Sequence, residues 1–278
     1  MEPAVSRHES PKQDSSKHRA PPRKNTLPVT VGDLIIGDRN PVVVQEMLST
    51  LPTDITRALR EIHALRSAGC RLIRVAVPDI HAARALTDLK RETGVLFVAD
   101  IHFDHRLALE ALEAGADKLR LNPGTMGSAF KVREVVAASR ERGVPIRIGV
   151  NSGSLQREIL KKYGGVTAEG LVESALHEVS LLEKEGFQAI VVSIKSTDIG
   201  QTLQANRQLS ERVPYPLHVG ITEAGYGEEG VIRSVVGLGS LLLEGIGDTV
   251  RVSLTHPDRV ENIRVCREVL HMLHVPFV

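Results

Sequence analysis

The chain has 278 residues, a formal net charge of +1, a hydrophobic fraction of 42% and an aromatic fraction of only 3%. That length suits one large domain with a sizeable core. The balanced charge gives no general pull toward nucleic acid or membrane, the scarcity of aromatics argues against base-stacking modules, and no apolar run approaches the ~20 residues of a membrane span.

Residues 1–26 are polar and rich in Pro, Ser, Lys and Arg, and are expected to be a disordered tail. No apolar stretch follows their charges, so they do not read as a secretory signal. "VTV" and "LIIG", separated by Gly32-Asp33, predict a short hairpin. From Val42 onward, short apolar runs alternate with amphipathic segments. Helices are predicted near 54–68, 79–92, 104–115, 128–142, 167–185, 198–211, 229–243 and 257–272, each preceded by a strand. Several end in a glycine stop: "RSAG", "LEAG", "RERG", "EKEG". Eight strand–helix units in about 230 residues predict an α/β fold, a closed (β/α)8 TIM barrel over 27–278. A doubly wound open sheet is the alternative, disfavoured because no GxGxxG turn follows the first strand.

In such barrels function gathers at the C-terminal ends of the strands. Those ends supply Arg74, then Asp100 and His102, then Arg120, then Arg147 and Asn151, then Lys195, then His218 followed by Glu223, then Arg251 and Ser253. Arg74, Arg120, Arg147, Lys195 and Arg251 converge from five strands. Buried cations repel one another unless an anion joins them, and guanidinium forks match phosphate oxygens. A clamp for a doubly phosphorylated ligand is the expectation. The competing arrangement pairs each arginine with a barrel carboxylate, for which Asp100 and Glu223 are the obvious candidates. Asp100, His102, Asn151, His218 and Glu223 suit hydroxyl recognition and proton transfer, with Glu223, Asp100 and His102 as the candidate acid–base groups. His102 and His218 beside Asp100 leave a metal site open, without any HxH or HExxH pair to support it, and His218 also fits a packing role. "EAGYGEEG" offers backbone N–H groups to a phosphate or forms a lid.

Cys70 and Cys266 are the only cysteines. They form neither a disulfide framework nor a four-thiolate site, so small buried residues of a reduced, cytoplasmic protein are expected.

"VADIHFDHRLALEA", "KLRLNPG", "PIRIGVNSGSL", "SIKSTD", "PLHVGITEAG" and "GLGSLLLEGIGDTVRVSL" resemble the barrel of the 4-hydroxy-3-methylbut-2-enyl diphosphate synthases over residues 28–272. The resemblance implies reductive opening of 2-C-methyl-D-erythritol 2,4-cyclodiphosphate in the non-mevalonate isoprenoid pathway. It implies electrons from flavodoxin or ferredoxin through a 4Fe–4S cluster. It gives the phosphates to Arg74, Arg120, Arg147, Lys195 and Arg251, with Ser253 beside them, and the carbon skeleton to Asp100, Asn151 and Glu223. It further implies a homodimer, or a separate cluster-domain subunit, in which a cluster domain of one subunit closes over its partner's barrel. Two departures stand out. Glu46, in "VQEMLST", replaces a small residue of the family pattern. The cysteines do not match the cluster positions, so the cluster domain is expected outside this chain. A cluster-free pterin-type transferase, an aldolase using Lys195 as a Schiff-base amine, and a non-catalytic binding barrel remain as alternatives.

Overall fold

The structure, a computed structural model, describes residues 20–278. Most of the expected tail, residues 1–19, lies outside the described residues. Its last part does not: Arg23 pairs with Asp248 at 2.5 Å, and the Lys24 N–H donates to the Gly245 carbonyl at 3.0 Å. The expected tail boundary at residue 26 is therefore too late, because a buried carboxylate anchors the chain at Arg23.

Strands β1 (Val29–Val31) and β2 (Leu34–Ile36) form the predicted antiparallel hairpin. Gly32 takes φ +58°, which the two-residue turn needs. Val29, Val31, Leu34 and Ile36 are buried against Val43, Leu72, Val98 and Val191. The hairpin is thus an apolar plug under the barrel floor.

The barrel strands are β3 (Val43–Met47), β4 (Leu72–Ala76), β5 (Leu96–Asp100), β6 (Lys118–Leu121), β7 (Ile146–Asn151), β8 (Ile190–Lys195), β9 (His218–Val219) and β10 (Thr249–Val250). All their ladders are parallel, and an isolated Val192↔Leu217 bridge joins β8 to the residue just before β9, closing the ring. Helices α1 (Ile55–Ser67), α2 (Ile80–Thr93), α3 (His105–Glu113), α4 (Ala129–Glu141), α6 (Ala168–Glu183), α7 (Ile199–Arg212), α8 (Gly227–Leu243) and α9 (Val260–Met272) are the predicted ones. Side chains at Asp54, Asp79, Asp104, Ser128, Thr167 and Asp198 cap six of them. Helix α5 (Arg157–Tyr163) was not anticipated; two turns carry too little periodicity to separate it from a loop.

Outward-facing Ile73, Val75, Phe97, Leu119, Ile148, Val192 and Ile194 bury under the helices in one core. The inward positions stack in layers contributed by alternate strands. Carried around the ring, the registers place Leu72, Lys118, Val191 and Thr249 lowest. Gln45, Val98, Arg147 and His218 lie above them, then Arg74, Arg120, Ser193 and Arg251, then Met47, Asp100, Gly149 and Gly220. The arginines therefore lie in the middle layers, above a floor that the apolar hairpin plugs.

Candidate active site

Arg74, Arg120, Arg147, Lys195 and Arg251 line a single cavity of about 170 Å³, with Asn151, Ser253, Met47, Gly149, Ser193 and Thr222. The convergence expected from the sequence is present. Arg120, Arg147 and Lys195 are 2%, 2% and 7% exposed, so these charges are committed to the interior. Backbone economy makes room for them. A Cβ on Gly149 would lie 2.6 Å from Arg120 Nε, while the Gly149 carbonyl accepts from Arg120 Nη2 at 2.9 Å. The Asn122 side chain holds the same glycine through its N–H at 3.0 Å. A Cβ on Gly220 would lie 2.2 Å from the Arg251 carbonyl.

Carboxylates partner only some of these cations. Asp100 lies 2.6 Å from Arg74 and 3.3 Å from Arg120. Glu46 lies 3.0 Å from Arg251 and also accepts the Met47 N–H at 2.8 Å. The second acid is thus Glu46, not the Glu223 expected from its place in the chain. Among the described residues Arg147 and Lys195 have no carboxylate within ion-pair distance.

The electrostatics follow from that shortage. Burial, then the fields of Arg74 and Arg120, pushes the proton affinity of Arg147 well below that of a free guanidinium. Burial, then Arg147, Arg251 and Arg74, pushes Lys195 well below the usual lysine range. Burial alone would raise Asp100, but the hydrogen bond from His102 and the charges of Arg74 and Arg120 hold it far below the usual carboxylate range. Asp100 is therefore a fixed anion that aligns two arginines. That is a different role from the proton carrier expected of it.

Residues 26–267 match the GcpE TIM-barrel domain family. A protein of Caldanaerobacter subterraneus subsp. tengcongensis, named 4-hydroxy-3-methylbut-2-en-1-yl diphosphate synthase (flavodoxin), is 51% identical over 90% of this chain and 70% of its own length. A protein of the same name from Symbiobacterium thermophilum is 52% identical over 90% of this chain and 68% of its own. The chain belongs to the 4-hydroxy-3-methylbut-2-en-1-yl diphosphate synthase family. Among solved structures, the Yersinia pestis dihydropteroate synthase superposes with a TM-score of 0.62 at 14% identity, covering 90% of this chain and 100% of that one. A Leptospira borgpetersenii N-acetylneuraminic acid synthetase gives 0.60 at 14%, covering 89% and 90%. At that identity these two share the barrel fold alone.

Within this synthase-family barrel several expected residues take other places. His218 is fully buried below the cavity, accepting from Lys195 Nζ at 3.1 Å through Nε2 and meeting Thr249 Oγ1 at 3.3 Å through Nδ1. It supports Lys195 rather than facing a ligand. Burial, then Lys195 and Arg147, keeps it neutral. His102 sits at the rim, 3.2 Å from Arg120 and 3.5 Å from Asp100. Glu223 is exposed, at φ 49°, in an adjoining hollow that shares Arg251 and Ser253 with the cavity. The first turn of α8 carries Glu228 and Glu229, which complement the helix dipole.

Met47, Gly149 and Thr222 were missed. Met47 was legible from the period-two alternation that makes Gln45 inward; Thr222 sits in irregular backbone, where no period applies.

The 4Fe–4S cluster expected for the family takes cysteine thiolates. The Cys70 Sγ lies 3.4 Å from the Leu72 carbonyl and the Cys266 Sγ accepts the Val252 N–H at 3.2 Å. Both are buried, and burial foremost pushes each thiol up to about 12. These residues do not fit such a cluster. Among the described residues no three His, Cys, Asp or Glu gather as a metal site, and no helix is long and apolar enough to cross a membrane.

Proposed function

We propose that residues 27–278 are the substrate-binding barrel for reductive ring opening of 2-C-methyl-D-erythritol 2,4-cyclodiphosphate to 4-hydroxy-3-methylbut-2-enyl diphosphate. The observation that carries this reading is the surplus of buried cations. Five line one cavity, against two carboxylates that reach only three of them. A cyclic diphosphate supplies the missing negative charge. Arg147 and Lys195, which have no carboxylate partner among the described residues, are its first anchors. Arg74, Arg120 and Arg251 complete the clamp, with Asp100 aligning the first two and Glu46 competing with the ligand for the third, and Ser253 and Asn151 add neutral hydrogen bonds.

Ring opening takes up electrons and protons. The electrons would be supplied by a 4Fe–4S cluster held by residues other than Cys70 and Cys266. Glu223, accessible at the rim beside Arg251 and Ser253, is the assigned proton donor, with His102 as the second candidate. The setting is cytoplasmic. Flavodoxin or ferredoxin is the electron donor, and the assembly is a homodimer or a pairing with a cluster-bearing subunit.

Binding tests this reading directly. The cyclodiphosphate is expected to bind with one-to-one stoichiometry and its monophosphate analogues much more weakly; comparable affinities would refute the clamp. A second reading has one observation in its favour. Lys195 is a buried amine of lowered proton affinity lining the cavity, as a Schiff-base aldolase requires. Borohydride trapping with a carbonyl substrate distinguishes the two.

A further inference from the structure

Directly beneath the clamp lies a basic side chain that no ligand can touch. Lys118, on β6, is 0% exposed, and its Nζ has no hydrogen-bond partner. Its layer holds Leu72, Val191 and Thr249, with the hairpin's apolar side chains below. The layer above brings Arg147 from β7, His218 from β9 and Gln45 from β3. Beyond these stand Arg74 from β4, Arg120 from β6, Lys195 from β8 and Arg251 after β10. The two carboxylates of the region face other groups: Asp100 is bound to Arg74 and Arg120, and Glu46 to Arg251. Every charged group in the layers above Lys118 other than these two is a cation. Four buried polar atoms in these adjacent layers are unpartnered: Lys118 Nζ, Arg147 Nε and both amide atoms of Gln45.

We propose that Lys118 is a neutral amine in the empty barrel and takes up a proton when a diphosphate fills the clamp above it, so that ligand binding and protonation are one linked event. An ammonium in a dry layer with only cations nearby is costly. Burial and the field of Arg147 both act against its charge. A diphosphate seated on Arg147 reverses that field, and through a low-dielectric interior its charge is felt one layer down. The empty barrel thereby avoids stacking a sixth charge under five others, and the filled barrel recruits it. Lys118 acts through Arg147 as a positioning residue.

This inference rests on the diphosphate role proposed above. Its test is calorimetry of cyclodiphosphate binding in buffers of different ionisation enthalpy, with wild type, Lys118→Met and Lys118→Gln. Wild type is expected to take up about one proton more per ligand than either variant near pH 8, and to lose affinity more steeply as pH rises. Two variants are used so that a folding defect in one, seen by circular dichroism, leaves the other to decide. Equal proton counts and equal pH slopes would overturn the inference while leaving the clamp intact. If wild type does not bind the cyclodiphosphate, the proposed function fails, and the same titrations with inorganic pyrophosphate decide for Lys118: Lys118-dependent proton uptake supports it, and its absence overturns it.

Discussion

Arg251 donates from Nε to Oε1 of Glu46 at 3.0 Å, so one arginine of the clamp is already neutralised by a buried acid from the first barrel strand. Glu46 does not line the cavity; it reaches the site by restraining Arg251. The other oxygen of Glu46 is buried without a partner.

Glu46→Ser removes the competitor for Arg251. Diphosphate affinity is expected to rise by roughly 1 kcal/mol, about fivefold, the scale of one hydrogen bond freed for the ligand. Thermal stability is expected to fall, because a buried guanidinium loses its partner. Calorimetry and thermal melts check both; weaker binding would show instead that Glu46 holds Arg251 in its binding pose.

Gly149→Ala places a methyl group against the Arg120 guanidinium. Arg120 must move, breaking its bond to the Gly149 carbonyl and its pairing with Asp100. Affinity for the cyclodiphosphate is expected to drop at least tenfold, about 1.4 kcal/mol or more. An alanine variant with wild-type affinity would mean that Arg120 does not hold phosphate.

The pH dependence of stability has a definite sign. Burial, then the charge of Arg147, pushes Lys118 well below the usual lysine value of 10.5. Between the folded and unfolded values the unfolded chain holds the proton and the folded chain does not, so stability rises with pH through that window. Lys118→Met lacks this penalty. The variant is expected to be the more stable near neutral pH, with its advantage shrinking by up to about 1.4 kcal/mol per pH unit as pH climbs toward 10.5. Denaturant melts of both proteins across that range measure it; a constant difference would contradict a neutral Lys118.

Glu223→Gln separates proton delivery from binding. The residue is exposed and apart from the ion pairs of the clamp. In an assay supplied with the cluster-bearing component and reduced flavodoxin, kcat is expected to fall by a factor on the order of a hundred, the lower range for a lost general acid, with KM nearly unchanged. Normal turnover would move the proton-donor role to His102.

The barrel was legible because its strands are apolar on both faces and its helices carry caps and glycine stops at regular intervals. The convergence of the cations was legible for the same reason: Arg74, Arg120, Arg147 and Arg251 interrupt strands that should hold only apolar residues. What stayed hidden depends on layers rather than on chain order. Lys118 opens the strand "KLRL", and only the register places it under Arg147. His218 looked like a ligand contact, yet β9 places it one layer too deep. The pairing of Glu46 with Arg251 joins the first and last barrel strands, a closure that pattern along the chain does not encode.

The central claim is that the buried cations exist to hold a diphosphate, and Arg147 is its sharpest point. Arg147 is 2% exposed, lines the cavity and has no carboxylate partner among the described residues. The most direct test is isothermal calorimetry of 2-C-methyl-D-erythritol 2,4-cyclodiphosphate against wild type and Arg147→Ala. Wild type is expected to bind one ligand per chain, and the variant to lose roughly 2–3 kcal/mol, the range for a charge-assisted bidentate contact. Equal affinities in two folded proteins would contradict the account.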